Sequence, residues 1–249
     1  MPTETVASEI HPHLAKAKDA HGREPVRELT SFFIYPPGVR IWHWATALLI
    51  PILAVTGFFI ASPPHSVSGD TSKLFVMGHL REWHFMAAWL FVIAMLWRVY
   101  YALVGDKHSR MIFYLPVWDR SWWKGLYSVI RYYLFIDRKT HKWVGHNPLA
   151  QASMVVMFTF GSIFMVFSGL ALYGEEMGID SWEFKGFGWM FRVWGSSMTL
   201  RTWHHDAMYV LLLYTLIHIY FAVRDDVMGR VSTISSMIDG WRTFRDADD

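Results

Sequence analysis

Four stretches of the chain stay apolar for long enough to cross a bilayer, which takes about 20 residues at 1.5 Å each. The first, about 41–60, has no charged side chain. The second, about 83–104, carries Arg98 close enough to its far end to snorkel. The third, about 149–173, is uncharged, and the fourth, about 203–223, has Asp206 near its start. Lipid offers a backbone no hydrogen-bond partners, so each stretch is expected to be helical. Nothing resembles the strand alternation of a membrane barrel. The pattern predicts an all-α fold, a transmembrane four-helix bundle. Between the second and third spans, residues 121–136 mix Trp122, Trp123, Tyr127, Tyr132 and Tyr133 with Lys124 and Arg131. This predicts an amphipathic helix at the headgroup level rather than a fifth crossing. Residues 1–30 are polar and irregular without the pattern of a cleavable signal peptide, and read as a mobile tail. The transmembrane domain is then 31–245, followed by an acidic tail end, 246–249.

Composition narrows the function. Of 249 residues 53% are hydrophobic and 18% charged, against about a quarter charged in globular chains, which disfavours a soluble enzyme. Cysteine is absent, which removes disulfides, thiolate metal sites, Fe–S ligation and covalently attached haem. The net charge of +2 is too small for a nucleic-acid footprint. Of the 23 Lys and Arg residues, 17 fall on the side shared by the two termini and the connection between spans two and three. Lys73, Arg81, Lys185, Arg192 and Arg201 fall opposite. The positive-inside rule therefore predicts that both termini are cytoplasmic.

Thirteen histidines are spread along the chain. His11, His13, His21, His65, His108, His141 and His146 lie in the tail or in connections and read as solvated side chains, and His79 is placed in a loop. Within spans an ionisable residue is costly and marks function. His204 and His218, about 21 Å apart along one helix axis, share a face to within about 40°, whereas His205 misses it by about 140°. His43 begins span one at the cytoplasmic end, and His84 begins span two at the outer end. Pairing by level gives His84 with His204 outside and His43 with His218 inside. Two b-type haems held by axial imidazoles need this arrangement. Three of the four histidines end the same local pattern: Arg40-Ile41-Trp42-His43, Arg81-Glu82-Trp83-His84 and Arg201-Thr202-Trp203-His204. An arginine one turn earlier suits a haem propionate, although snorkelling arginines beside an interfacial tryptophan belt would also account for part of the pattern. Gly57, Gly161 and Gly169 allow close approach of helices or of a porphyrin, and the methionines read as apolar filling.

The run from Arg40 to Trp44 with Thr56-Gly57, and Trp203-His204-His205 with His218 fourteen residues on, resemble the two signatures of the cytochrome b subunits of membrane-bound nickel–iron (NiFe) uptake hydrogenases. Gly145-His146-Asn147-Pro148-Leu149-Ala150, Ser121-Trp122-Trp123 and Arg224-Asp225-Asp226 add to the likeness, which spans about 35–244. The resemblance implies a bacterial cytoplasmic (inner) membrane protein with haem b as cofactor. It implies partnership with the hydrogenase small subunit, through its Fe–S clusters and C-terminal helix, and with the large subunit. Electrons would enter at the outer pair and leave to a quinone at the inner one, so the chain would be an electron-transfer subunit rather than a stand-alone enzyme. Asp225 and Asp226 read as solvated helix-end charges, with a proton relay to quinone as the alternative. The same fold could instead serve a formate dehydrogenase or thiosulfate reductase. A transporter with proton- or metal-carrying histidines is the reading from another class, but transporters usually break their helices near the midplane, and these histidines lie near the surfaces.

Overall fold

Prolines and short polar side chains open three of the four longest helices. In the computed structural model, which describes residues 29–63, 75–105, 110–137, 143, 146–229 and 231–245, helix α1 (Pro37–Ala61) starts on a proline. There its fixed φ suits the first turn and its missing N–H costs nothing. Helix α2 covers Val76–Val104. Helix α3 (Arg120–Tyr133) is capped by Asp119, whose carboxylate accepts from the Ser121 N–H. Helix α4 (Pro148–Met177) is capped by Asn147 and contains a π-helical turn at Met154–Thr159. Short helices α5 (Trp182–Phe187) and α6 (Trp189–Trp194) precede α7 (Ser197–Val227), which Ser196 caps through the Thr199 N–H. Helix α8 (Thr233–Asp239) follows.

Helices α1, α2, α4 and α7 are each long and apolar enough to span a membrane. The four-helix bundle is therefore the observed architecture. Each helix extends the expected span at its start by one to seven residues, because flanks that mix polar with apolar residues continue the helix before the apolar run. α1 packs chiefly on α2, and α4 on α7. Ile41, Leu48 and Val55, seven residues apart on α1, face outward. Such a stripe is compatible with lipid and not with water. The protein is a membrane protein.

The end bearing the termini is more built than expected. Strands β1 (Leu29–Phe33) and β2 (Trp241–Arg245) pair antiparallel, with Ser31 opposite Thr243, so β1 takes in two residues assigned above to the tail. The rest of that tail, 1–28, and the acidic end 246–249 lie outside the described residues. The ribbon continues through Ile34 N–H and Tyr35 N–H, both donating to the Gly240 carbonyl. α3 seats on the start of α4, where Trp122 Nε1 donates to Gln151 (3.0 Å) and Gln151 donates to the Tyr114 carbonyl (2.7 Å).

Three sequence expectations are corrected. Arg98 does not snorkel: it is buried, with its guanidinium 5.2 Å from the Trp42 ring centroid and 5.6 Å from that of Phe113, so aromatic faces replace water around the cation. His79 lies in the first turn of α2, 3.5 Å from Glu82, rather than in a loop. His146 is not simply solvated, since its Nε2 lies 3.3 Å from the Tyr35 hydroxyl.

Opposite the termini, α5 folds back onto the end of α4. A methyl group added at Gly174 would lie 2.5 Å from the Phe184 backbone nitrogen, which leaves it no room. Gly174→Ala is expected to destabilise the protein by about 1–3 kcal/mol, measured as a lowered melting temperature in detergent.

Candidate functional site

α1, α2, α4 and α7 surround a cavity of about 270 Å³ at the end away from the termini. Its walls include His84 from the early part of α2 and His204 from that of α7. The sequence places them there because both lie in the second or third turn of helices that start at this end. His84 Nδ1 lies 2.9 Å from Thr56 Oγ1, and His204 Nδ1 lies 2.7 Å from Ser168 Oγ. Each hydroxyl already donates to the carbonyl one turn back, Thr56 to Ile52 (2.7 Å) and Ser168 to Phe164 (2.6 Å). A hydroxyl has a single proton, so each accepts from the imidazole Nδ1–H. Each ring is thereby held as the tautomer whose Nε2 carries a free lone pair.

Glycine keeps both rings unobstructed. A methyl group at Gly57 would sit 3.2 Å from His84 Cε1, and one at Gly169 would sit 3.4 Å from His204 Cε1. Gly161 instead faces Leu211. Arg81 and Arg201 also line the cavity. Arg201 binds Glu175 at 2.8 Å, and Arg81 stands 3.9 Å from Glu176. His205, which helical arithmetic turns away, nevertheless reaches the cavity wall, with its ring between Phe58 and Tyr209.

At the terminal end the rings of His43 and His218 approach to 6.2 Å between centroids, tilted by 56°. His218 stacks on Tyr214 at 5.8 Å and is exposed on its other side. Among the described residues the buried His43 Nδ1 has no hydrogen-bond partner, an expensive state for an imidazole nitrogen unless something binds the ring. Arg40, one turn before His43, donates to the Ile238 carbonyl of α8, and Trp44 Nε1 donates to that of Met237. The first Arg-x-Trp-His run thus grips a terminal helix, while the other two line the cavity.

Residues 34–240 match the family model described as prokaryotic cytochrome b561. The chain belongs to this family. It is 47% identical over 237 residues to the probable Ni/Fe-hydrogenase B-type cytochrome subunit of Rhizobium leguminosarum bv. viciae, covering 95% of this chain and 99% of that one. Its counterpart from Bradyrhizobium diazoefficiens is 46% identical over 241 residues, covering 96% and 97%. The probable Ni/Fe-hydrogenase 1 B-type cytochrome subunit of Escherichia coli K12 is 39% identical over 219 residues, covering 87% and 93%.

A b-type cytochrome implies haem b, and this chain's residues fit one. Two imidazoles of fixed tautomer, glycine-cleared ring edges and two arginines meet at the cavity. At the other end, paired rings include an orphaned nitrogen. Sequence reasoning named Thr56 only within a family signature, with no role, and missed Ser168, Glu175 and Glu176. The signal for the first two was present, since a hydroxyl precedes glycine in both Thr56-Gly57 and Ser168-Gly169.

Asp225 and Asp226 are only partly exposed and are hydrogen-bonded rather than simply solvated. Asp225 accepts from the Tyr133 hydroxyl (2.9 Å), and Asp226 accepts from the Thr233 N–H (2.6 Å) at the start of α8. Burial, and then the Asp225 carboxylate, push the Tyr133 phenol upward in pKa. It therefore stays protonated and donates.

Proposed function

We propose that this cytochrome is the membrane-embedded electron carrier of a NiFe-hydrogenase complex. It takes electrons from an Fe–S small subunit on the periplasmic face and delivers them to quinone near the cytoplasmic face. The observation that carries the reading is the pair of imidazole couples at opposite ends of one bundle, His84 with His204 across the cavity and His43 with His218 at 6.2 Å. Along α7 the two levels are separated by about 21 Å. Haem b, when bound at each couple, supplies the one-electron chemistry that no side chain here provides.

In this reading the chain's own residues do the rest. His84 and His204 would hold the iron of one haem, and His43 and His218 that of the other. Arg81 and Arg201 neutralise propionates at the cavity, exchanging Glu175 and Glu176 for a new carboxylate partner. Arg40 stands in the same relation to His43. The apolar walls exclude water and so set the potential. The names of the relatives support a hydrogenase partner, its small subunit contributing Fe–S clusters and a C-terminal helix and its large subunit completing the complex. The Lys and Arg asymmetry supports a bacterial inner-membrane protein with both termini in the cytoplasm.

Purification in mild detergent tests the reading. The expected result is co-purification with both hydrogenase subunits and a b-type band in the reduced-minus-oxidised spectrum, reducible by H2. Absence of that band would refute the electron-carrier role, while co-purification with a formate dehydrogenase or thiosulfate reductase would reassign the partner.

A further inference from the structure

The cavity is built twice over from the same parts. α1 presents Thr56-Gly57 to His84 of α2, and α4 presents Ser168-Gly169 to His204 of α7. In both halves the hydroxyl gives its proton to a carbonyl one turn back and turns a lone pair toward Nδ1. In both, the next residue is the glycine whose missing side chain leaves space beside the ring's Cε1. Among the described residues neither imidazole bonds to a second side chain, although the Leu53 backbone is also within hydrogen-bonding reach of His84. A hydroxyl buried in a transmembrane helix commonly satisfies itself on the preceding turn. That bond alone would not require an imidazole at 2.7–2.9 Å in both halves.

We infer that Thr56 and Ser168 are positioning residues for the His84–His204 couple, each fixing the tautomer and rotation of one imidazole through Nδ1–H. The inference rests on the reading of this couple as haem ligands. A metal-bound imidazole is usually oriented by the acceptor on its other nitrogen, and loss of such a partner costs about 10–100-fold in affinity or activity. An acceptor at Nδ1–H also makes the ring a stronger electron donor to iron and favours the oxidised state. Removing it is therefore expected to raise the reduction potential. The paired arrangement predicts that either hydroxyl alone shifts the potential in the same direction and that both together shift it further.

The test uses the purified full chain in its hydrogenase complex. Thr56→Val and Ser168→Ala remove the acceptor with little change of volume, whereas Thr56→Ser and Ser168→Thr keep a hydroxyl. Redox titration followed optically is expected to show a higher midpoint for one haem in the first two variants. The ferric-to-ferrous ratio at fixed potential should fall threefold to tenfold, the upper end being about 59 mV for one electron. The low-temperature electron paramagnetic resonance signal of that haem should change as its imidazoles rotate, and the hydroxyl-retaining variants should match the parent in both readouts. A parent-like potential and resonance signal in Thr56→Val and Ser168→Ala would overturn the inference. His84→Ala, run alongside, separates this failure from the other: if it leaves the haem content whole, the ligand reading itself is refuted and the inference falls with it.

Discussion

Replacing His84 or His204 by alanine is expected to remove about half of the b-type absorbance per chain. H2-driven quinone reduction should fall by at least on the order of 100-fold, since even partners of a metal ligand are worth about 10–100-fold. The expectation follows from the cavity geometry. Each of these rings is tied to a hydroxyl on a neighbouring helix, at 2.9 Å for His84 and 2.7 Å for His204. Among the described residues no further histidine within a span is held in this way, His146 meeting the Tyr35 hydroxyl outside the spans. His205 gives the necessary contrast, because it reaches the same wall but rests on Phe58 and Tyr209. His205→Ala should keep the absorbance. His43→Ala or His218→Ala should remove the other half, leaving a haem that H2 still reduces but that no longer passes electrons to quinone. Haem quantified against protein, with H2-dependent reduction of the remaining band, checks all five variants. Full haem content in His84→Ala would refute the assignment.

The parts of the fold readable from sequence are those where one physical requirement dominates. An uncharged run of 20 residues has no alternative to a spanning helix, so the four spans are legible. Their starts are not, because flanks such as Val76–Glu82 continue α2 with His79, Arg81 and Glu82, polar residues that hydropathy alone discounts. Helical spacing likewise brings His204 and His218 to opposite ends of one face. The approach of His43 to His218 follows from placing span starts at alternate ends. Contacts between distant segments are different. Ser31 opposite Thr243 is a pairing of two five-residue strands more than 200 residues apart, with no local signal stronger than an ordinary loop. Arg98 reads as a snorkelling cation because its distance from the span end is visible in sequence, while the Trp42 and Phe113 faces that receive it are not. The roles of Thr56 and Ser168 escape notice for a related reason. In a span each looks like a small residue bonded to its own helix, and only the neighbouring imidazole distinguishes them.

Arg224→Leu is expected to destabilise the protein by on the order of 3 kcal/mol, from two charge-assisted hydrogen bonds worth about 1.5–3 kcal/mol each and partial relaxation of the site. Arg224 is buried near the end of α7 and donates to the Tyr132 and Tyr133 carbonyls at 2.7 and 2.9 Å. These are among the last carbonyls of α3, where the helix runs out of its own donors; that of Tyr132 also accepts from the Phe135 N–H at 3.1 Å. The chain leaves that helix through Phe135 in the left-handed region, and the Phe135 ring lies 4.1 Å from the guanidinium carbon, with the Tyr132 and Tyr133 rings at 4.7 and 5.1 Å. One cation therefore closes a helix terminus and fills an aromatic box. Tyr133 completes the joint by stacking on Phe221 at 4.0 Å and donating to Asp225. Leucine would fill part of the volume and remove the guanidinium donor from both carbonyls, leaving that of Tyr132 only the Phe135 N–H. At about 2–4 °C per kcal/mol for a chain of this size, the melting temperature in detergent should drop by about 6–12 °C. Arg224→Lys should recover only part of the loss, because an ammonium cannot reproduce the planar fork that spans two acceptors. The joint lies at the terminal end, so a destabilised Arg224→Leu protein should still bind haem at the His84–His204 couple below its melting temperature. An unchanged melting temperature would show that α3 is held by its contacts with α4 instead.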